Sequence, residues 1–114
     1  MLEFFYYLTT LIYTSATFIY EFIFLNVLSP ENVQMLLDEL RHLYGALGQF
    51  SKRIIITDYW QKYFLIVALN FVKQSLIILA NFLEGSEDWN LRLAHNITLM
   101  TIELIDKLIT QLGG

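Results

Sequence analysis

The strongest constraint on this chain is a stretch from residue 4 to residue 20 that contains no charged side chain. Glu21 interrupts the apolar character near the end of the stretch, which otherwise continues to Leu28. A helix that is apolar on nearly every side is either a core helix or a membrane span. Its weakly polar side chains fall on one helical stripe: Glu3, Thr10, Thr14, Thr17 and Glu21. We predict a helix over about residues 2–28.

The start of a second helix is marked by Ser-Pro-Glu at 29–31, with a hydroxyl N-cap, a proline at the first helical position and an acid facing the helix dipole. The helix is predicted over about residues 30–50. Gly45 and Gly48 lie inside it and predict a kink or the close approach of a neighbour. Its apolar seam, which makes the helix amphipathic, includes Leu36, Leu40, Leu43 and Leu47.

Two further helices complete the pattern. The third is predicted over about residues 58–84, capped by Thr57-Asp58 and ended by Gly85, and it is apolar again. The fourth is predicted over about 87–112 and is amphipathic. Its packing seam includes Leu93, Ile97, Met100 and Leu104. We predict one all-α domain over 1–114, in which highly apolar helices, both candidate transmembrane segments, alternate with amphipathic ones.

The composition indicates more apolar surface than a small soluble monomer can bury. Hydrophobic residues make up 56% of the chain and charged residues 16%, whereas soluble domains average about 45–50% and about 25%. The excess must be covered by protein, by lipid or by a partner. Self-association or assembly with other protein subunits is therefore expected.

Both apolar segments are long enough to span a bilayer. In residues 63–83, thirteen Leu, Ile, Phe and Val side chains contribute roughly −4 to −8 kcal/mol to insertion, against about +2.5 to +3.5 kcal/mol for the central Lys73. The first segment has no central charge and is the stronger span. If both insert, Arg41, Lys52 and Arg53 place the intervening segment on the cytoplasmic or matrix side, with both termini opposite.

Lys73, Glu21 and Glu3 are the costly residues if these helices span a membrane. Ionisable groups inside a bilayer face protein or water and pair with one another. We predict a structural ion pair between Lys73 and Glu21, or an acidic residue of a neighbouring subunit in place of Glu21, with a proton or ion pathway as the alternative. In a soluble bundle, Lys73 instead marks the exposed side.

Chemistry-bearing patterns are sparse. The chain has no cysteine, which removes thiolate ligands and thiol nucleophiles. Glu39 and His42 form one E-x-x-H step, whereas di-iron bundles use two such steps and two further glutamates. Arg92 precedes His95 by one helical turn and repels a cation there. We predict no catalytic residue, no cofactor site and no metal site, and a solvated helix face at Glu39 and His42.

The net charge is −4, and the basic residues are scattered from Arg41 to Lys107, which argues against a nucleic-acid partner. The favoured hypothesis is a small non-catalytic integral membrane subunit, with a structural or assembly role in a larger complex. The lipid bilayer is then a further partner, and an organellar inner membrane is one option. The alternative is a soluble four-helix-bundle interaction protein, of viral origin in one version, that oligomerises through its apolar helix faces.

Overall fold

The structure is a computed structural model that describes residues 2–53, 56 and 58–113. Within these ranges the chain forms four helices and no strand, which confirms the predicted all-α class. The helices are α1 (Leu2–Leu25), α2 (Pro30–Ser51), α3 (Tyr59–Leu83) and α4 (Trp89–Gln111). Thr57, one of the two predicted cap residues of α3, lies outside the described residues.

Short polar side chains start three of the helices. Ser29, Asp58 and Asp88 act as N-caps, and each accepts a hydrogen bond from a backbone N–H two or three residues further on. Gly85 follows α3 with φ at 80°, the left-handed conformation typical of a helix C-terminus. The predicted starts and stops of these helices are correct to within two residues.

The first helix ends three residues before the predicted Leu28. Asn26 has φ at 51°, and its backbone N–H donates to the carbonyl oxygen of Phe22 at 3.1 Å. Asparagine is one of the few residues besides glycine that tolerates the left-handed region, so it can terminate a helix. The apolar character continues past this point, but the helix does not.

The four helices pack as a bundle with principal extents of 44 × 21 × 20 Å. Both α1 and α4 pack against α2 and α3, whereas α1 and α4 occupy diagonal corners, as do α2 and α3. The apolar helices α1 and α3 are therefore neighbours on one side of the bundle. The amphipathic helices α2 and α4 form the other side. Apolar and amphipathic helices alternate along the sequence, but in the bundle the two kinds lie on separate sides.

The helices α1 and α3 run parallel. The ring of Tyr13 lies 5.5 Å from that of Phe71, and further along both helices the ring of Phe22 lies 6.2 Å from that of Phe82. A later residue of α1 thus contacts a later residue of α3, as parallel helices require. Short connections make α1 antiparallel to α2 and α3 antiparallel to α4. The N-terminal ends of α1 and α3 therefore lie at the same end of the bundle.

The seam predicted for α2 lies in the core. Leu36, Leu40, Leu43 and Leu47 are all fully buried. They belong to one hydrophobic cluster with buried side chains of the other three helices.

The seam predicted for α4 is rotated from the observed one. Leu93, Ile97 and Leu104 are only partly buried at the edge of the core, and Met100 is exposed. The buried residues follow heptad spacing: Leu91, Ala94, Thr98, Thr101, Ile105, Leu108 and Leu112. Two of them are threonines, which a count of apolar residues passes over.

Thr98 and Thr101 can enter the core because their hydroxyl groups are satisfied within α4. Each donates at 2.7 Å to the backbone carbonyl oxygen four residues earlier. A buried hydroxyl without a partner would be costly, whereas one bonded in this way leaves mainly its methyl group to pack. This pairing permits both threonines to be buried in the observed seam.

The two glycines of α2 meet no neighbour. Within the described residues, a Cβ atom added at Gly45 or Gly48 would have no atom of another helix within 4 Å. The helix runs without interruption from Pro30 to Ser51. The predicted close approach at these positions is therefore wrong.

Candidate interaction surface

The two sides of the bundle differ in charge. Each of α1 and α3 carries two charged residues, whereas each of α2 and α4 carries four. Those of the apolar pair are Glu3 and Glu21 in α1 and Lys62 and Lys73 in α3. The side formed by α2 and α4 thus carries twice as many charges as the side formed by α1 and α3, although it also exposes Met35, Trp89, Leu99 and Met100. The side formed by α1 and α3 is charge-poor.

Large rings and aliphatic chains lie partly or fully exposed on the charge-poor side. The ring of Phe71 bridges α3 to α1, with its centroid 5.5 Å from that of Tyr13 and 6.0 Å from that of Tyr20. The name "aromatic face" is used below for the following side chains of α1 and α3: Tyr6, Tyr13, Tyr20, Phe24, Trp60, Tyr63, Phe64, Val67, Phe71 and Ile78. An exposed apolar surface of this extent is typical of an interaction site.

Uncharged polar groups are interspersed with the rings. The predicted polar stripe of α1 is exposed, including Thr10 and Thr17, and α3 exposes Asn70 and Gln74 beside it. The Thr17 hydroxyl donates to the carbonyl oxygen of Tyr13 at 2.9 Å, and the Asn70 amide donates to that of Ile66 at 3.1 Å. The amide oxygens remain able to accept hydrogen bonds from another molecule.

The two ends of the bundle carry opposite charge. The end where α1 and α3 finish holds five acids and one base, Arg92. The acids are Glu21, Glu31, Glu84, Glu87 and Asp88. The end where α1 and α3 begin holds three bases and two acids: Lys52, Arg53, Lys62, Glu3 and Asp58. These are called the acidic end and the basic end below.

Lys73 pairs with α4 instead of α1. Its Nζ atom lies 2.6 Å from Oδ1 of Asp106. Glu21 is exposed at the α1–α2 groove, beside Phe22 and Met35. The predicted pair of Lys73 with Glu21 is therefore wrong, because the two side chains leave their helices towards different neighbours. Asp106 gave no signal in the sequence, since its approach depends on how α4 packs.

The E-x-x-H step of α2 takes part in the contact with α1. Ser15 is fully buried, and its hydroxyl donates to Oε1 of Glu39 at 2.9 Å. The hydroxyl of Tyr7 lies within hydrogen-bond distance of Nε2 of His42, at 3.3 Å. The two residues thus join helices as well as facing solvent, a role that sequence spacing alone does not reveal.

Within residues 2–53, 56 and 58–113, no three His, Cys, Asp or Glu side chains come together in a way that could hold a metal ion. The expectation that the protein binds no transition metal remains a prediction. A shallow groove of about 170 Å³ between α1 and the start of α2 has Glu21 as its one ionisable lining residue. A single carboxylate does not form an acid–base pair.

Two helical stretches are long and apolar enough to cross a membrane, Glu3–Leu25 and Tyr59–Leu83. A topology with two spans and the intervening segment on one side requires those spans to be antiparallel. In this fold they are parallel, and α2 packs along α1. A bilayer that contained both apolar helices in this arrangement would also have to contain α2, with Asp38 and Arg41.

The fold defines a four-helix bundle with one charge-poor, aromatic side and one charged side. Comparisons of the chain with protein-family models, with curated proteins and with solved structures find no match.

Proposed function

We propose that this protein is a non-catalytic helical subunit that packs into a larger protein assembly through the aromatic face. The observation that carries the proposal is the concentration of exposed rings on α1 and α3, where every exposed Phe, Tyr or Trp ring of the described helices except Trp89 lies. Tyr, Trp and Phe are enriched in the cores of protein–protein interfaces, and charged residues are depleted there. The aromatic face has this composition, and the opposite side does not.

The polar groups of the face favour a protein partner over lipid. Asn70 and Gln74 are exposed near the middle of α3, which would be the middle of the bilayer if that helix spanned one. Lipid tails offer no hydrogen bonds to an amide, whereas a protein interface offers about one hydrogen bond per 100–200 Å². Protein is therefore the better cover for this surface.

The length and hydropathy of α1 and α3 favour a second candidate function. Here the bundle is a subunit embedded in a membrane, with the aromatic face towards lipid and the charged side towards neighbouring subunits. Each exposed Asp, Lys or Arg at bilayer depth would cost about +2.5 to +3.5 kcal/mol facing lipid, so α2 and α4 would need complete protein cover. Extraction with alkaline carbonate, compared with extraction in detergent, tests this candidate directly.

A matched pair of substitutions tests which side binds the partner. Ile78 on the aromatic face and Leu99 on α4 are equally exposed, at 44% and 46%. We expect the unassembled bundle to tolerate lysine at either position, because both side chains already reach solvent. A lysine buried without a partner in an interface costs about 3–5 kcal/mol, so Ile78→Lys should abolish assembly and Leu99→Lys should not.

The measurement is the mass of the native assembly purified with each variant, together with circular dichroism as a control for folding. Loss of assembly on Ile78→Lys alone supports the protein-facing proposal. The embedded subunit is supported if Ile78→Lys lets alkaline carbonate release the protein from the membrane and Leu99→Lys removes the partner subunits. Assembly that survives Ile78→Lys, or a wild-type monomer that needs no partner in plain buffer, contradicts the proposed function.

A further inference from the structure

We infer that the partner of the aromatic face is a segment of a different protein that places an arginine side chain, with apolar side chains on either side of it, against Glu21. This inference rests on the proposed function, since it names the chemistry of the segment that covers the face. It is carried by the shape of the surface around Glu21 and by the lack of a counter-charge for this carboxylate among the described residues.

Glu21 lies where three shallow depressions of the surface meet. One is the groove of about 170 Å³ between α1 and α2, which Phe18 and Met35 also line. The second is lined by Phe24 and the third by Tyr13, so both border the aromatic face. Within the described chain, Glu21 is the only charged residue that lines any of the three. A partner that covers Tyr13 and Phe24 therefore also covers this carboxylate, which lies between them along α1.

No base among the described residues pairs with Glu21. Residues 1–40 contain no lysine or arginine. In α3, which packs against α1, Lys73 pairs with Asp106, and Lys62 lies at the basic end, far from Glu21. A carboxylate that becomes buried without a counter-charge is costly. The partner must therefore supply the cation when it covers the face.

The position of Glu21 does not favour the free helix. Glu21 lies immediately before the last turn of α1, which ends at Leu25 and contains no base. The carbonyl groups at the end of a helix carry partial negative charge, so an acid near this end is unfavourable. Glutamine has nearly the same helix propensity without that charge. The carboxylate is therefore better explained by a cation outside the bundle than by the stability of α1.

Arginine fits this surface better than lysine or a small-molecule cation. Its guanidinium group can form two hydrogen bonds to one carboxylate and stack on aromatic rings, and Phe18, Tyr20 and Phe24 line the depressions around Glu21. The groove of about 170 Å³ is smaller than typical small-molecule pockets, which measure roughly 300–1,000 Å³, and suits a single side chain. The depressions beside it are mainly apolar, so the neighbours of the arginine in the partner are expected to be apolar too.

The first test compares two acids of the acidic end. Glu87 is exposed like Glu21 but lines none of the three depressions, so it is a matched control for charge. The native assembly is purified with Glu21→Gln, Glu21→Lys, Glu87→Gln or Glu87→Lys, and its mass is followed on dilution. We expect Glu21→Gln to weaken assembly at least tenfold and Glu21→Lys to abolish it, whereas the Glu87 variants should change it less than twofold. Urea denaturation of the chain alone should show both Glu21 variants to be at least as stable as the wild type.

The second test identifies the residue that contacts Glu21. Phe24 is 87% exposed and lies one helical turn from Glu21, so photoreactive benzoylphenylalanine in its place should leave the fold intact. Illumination of the native assembly, followed by mass spectrometry, locates the contacting segment of the partner. An arginine within one helical turn of the cross-linked residue is then changed to glutamate. This change should restore assembly with Glu21→Arg.

The outcomes separate this inference from the proposed function. Assembly that survives Glu21→Lys but not Ile78→Lys contradicts the arginine contact and leaves the proposed function standing, whereas assembly that survives both contradicts both. Equal losses on Glu21→Lys and Glu87→Lys would mean that the acidity of the whole end attracts the partner. A cross-link to lipid or to a second copy of this chain, a contacting segment without arginine, or a charge reversal that restores nothing would each overturn the inference.

Discussion

Lys73 and Asp106 join α3 to α4, with the Nζ atom of the lysine 2.6 Å from Oδ1 of the aspartate. Their side chains are 26% and 53% exposed, so water screens the attraction between them. A partly solvated pair of this kind contributes about 0–1 kcal/mol to stability. The lysine in the middle of an apolar helix is thereby accommodated at the edge of the bundle, close to water.

The first prediction concerns this pair. Lys73→Met should change the free energy of unfolding by less than about 1 kcal/mol, because the methionine keeps the apolar stem and Asp106 remains solvated. Lys73→Glu should cost more, since two carboxylates then face each other, and Asp106→Lys added to it should restore part of the loss. Urea denaturation measures all three. Equal stability of Lys73→Glu and the wild type would mean that the pair does not form in solution.

The second prediction tests the seam of α2. Leu40 is fully buried, and Leu40→Asp should lower the free energy of unfolding by several kcal/mol because it buries a charge without a partner. Gln34 is exposed and donates to Asp38 at 3.0 Å. Gln34→Asp loses that bond and places two acids one turn apart, which costs about 0.2–0.5 kcal/mol. Thermal denaturation of both variants should show a large difference, and similar melting temperatures would contradict the assigned seam.

The third prediction tests the rotation of α4 at two adjacent positions. Met100 is 46% exposed and Thr101 is fully buried. Met100→Lys should therefore be tolerated, whereas Thr101→Lys should destabilise the bundle by several kcal/mol. If denaturation shows Met100→Lys to be less stable than Thr101→Lys, the observed seam is contradicted and the one predicted from the apolar pattern is supported.

The fourth prediction compares two buried serines. The hydroxyl of Ser15 crosses from α1 to Glu39 on α2, whereas that of Ser75 bonds at 2.6 Å to the carbonyl oxygen of Val72 in its own helix. Ser15→Ala should cost about 1 kcal/mol or more, because a hydrogen bond to a charged acceptor is lost. Ser75→Ala should be neutral or stabilising, since alanine is the better helix former. The difference should shrink in a Glu39→Ala background if the interhelical bond is its cause.

The fifth prediction uses the open space beside Gly45. Within the described residues, a Cβ atom at Gly45 would have no atom of another helix within 4 Å. Gly45→Ala should therefore raise the free energy of unfolding by about 0.5–1 kcal/mol, because it restricts the unfolded chain without a clash. A loss of stability would imply a partner packed against α2 at this position, and the concentration dependence of the effect would reveal it.

The sequence by itself determined the four helices and their boundaries, apart from the end of α1. N-caps such as Ser29 and Asp88 act within three residues of their own position, so their effect can be read from local sequence. The seam of α2 was equally accessible, since every buried position in it is strongly apolar. The end of α1 was missed because the left-handed conformation of Asn26 is one option among several for that residue type.

Only the tertiary structure decided which surfaces meet. The order of the helices around the bundle places the two apolar helices side by side, and no local pattern specifies that order. The same packing brings Lys73 to Asp106 and turns Thr101 into the core in place of Met100. These outcomes depend on the summed packing of four helices, which no single helix specifies by its own sequence. The aromatic face is therefore a property of the assembled bundle, although every ring in it is visible in the sequence.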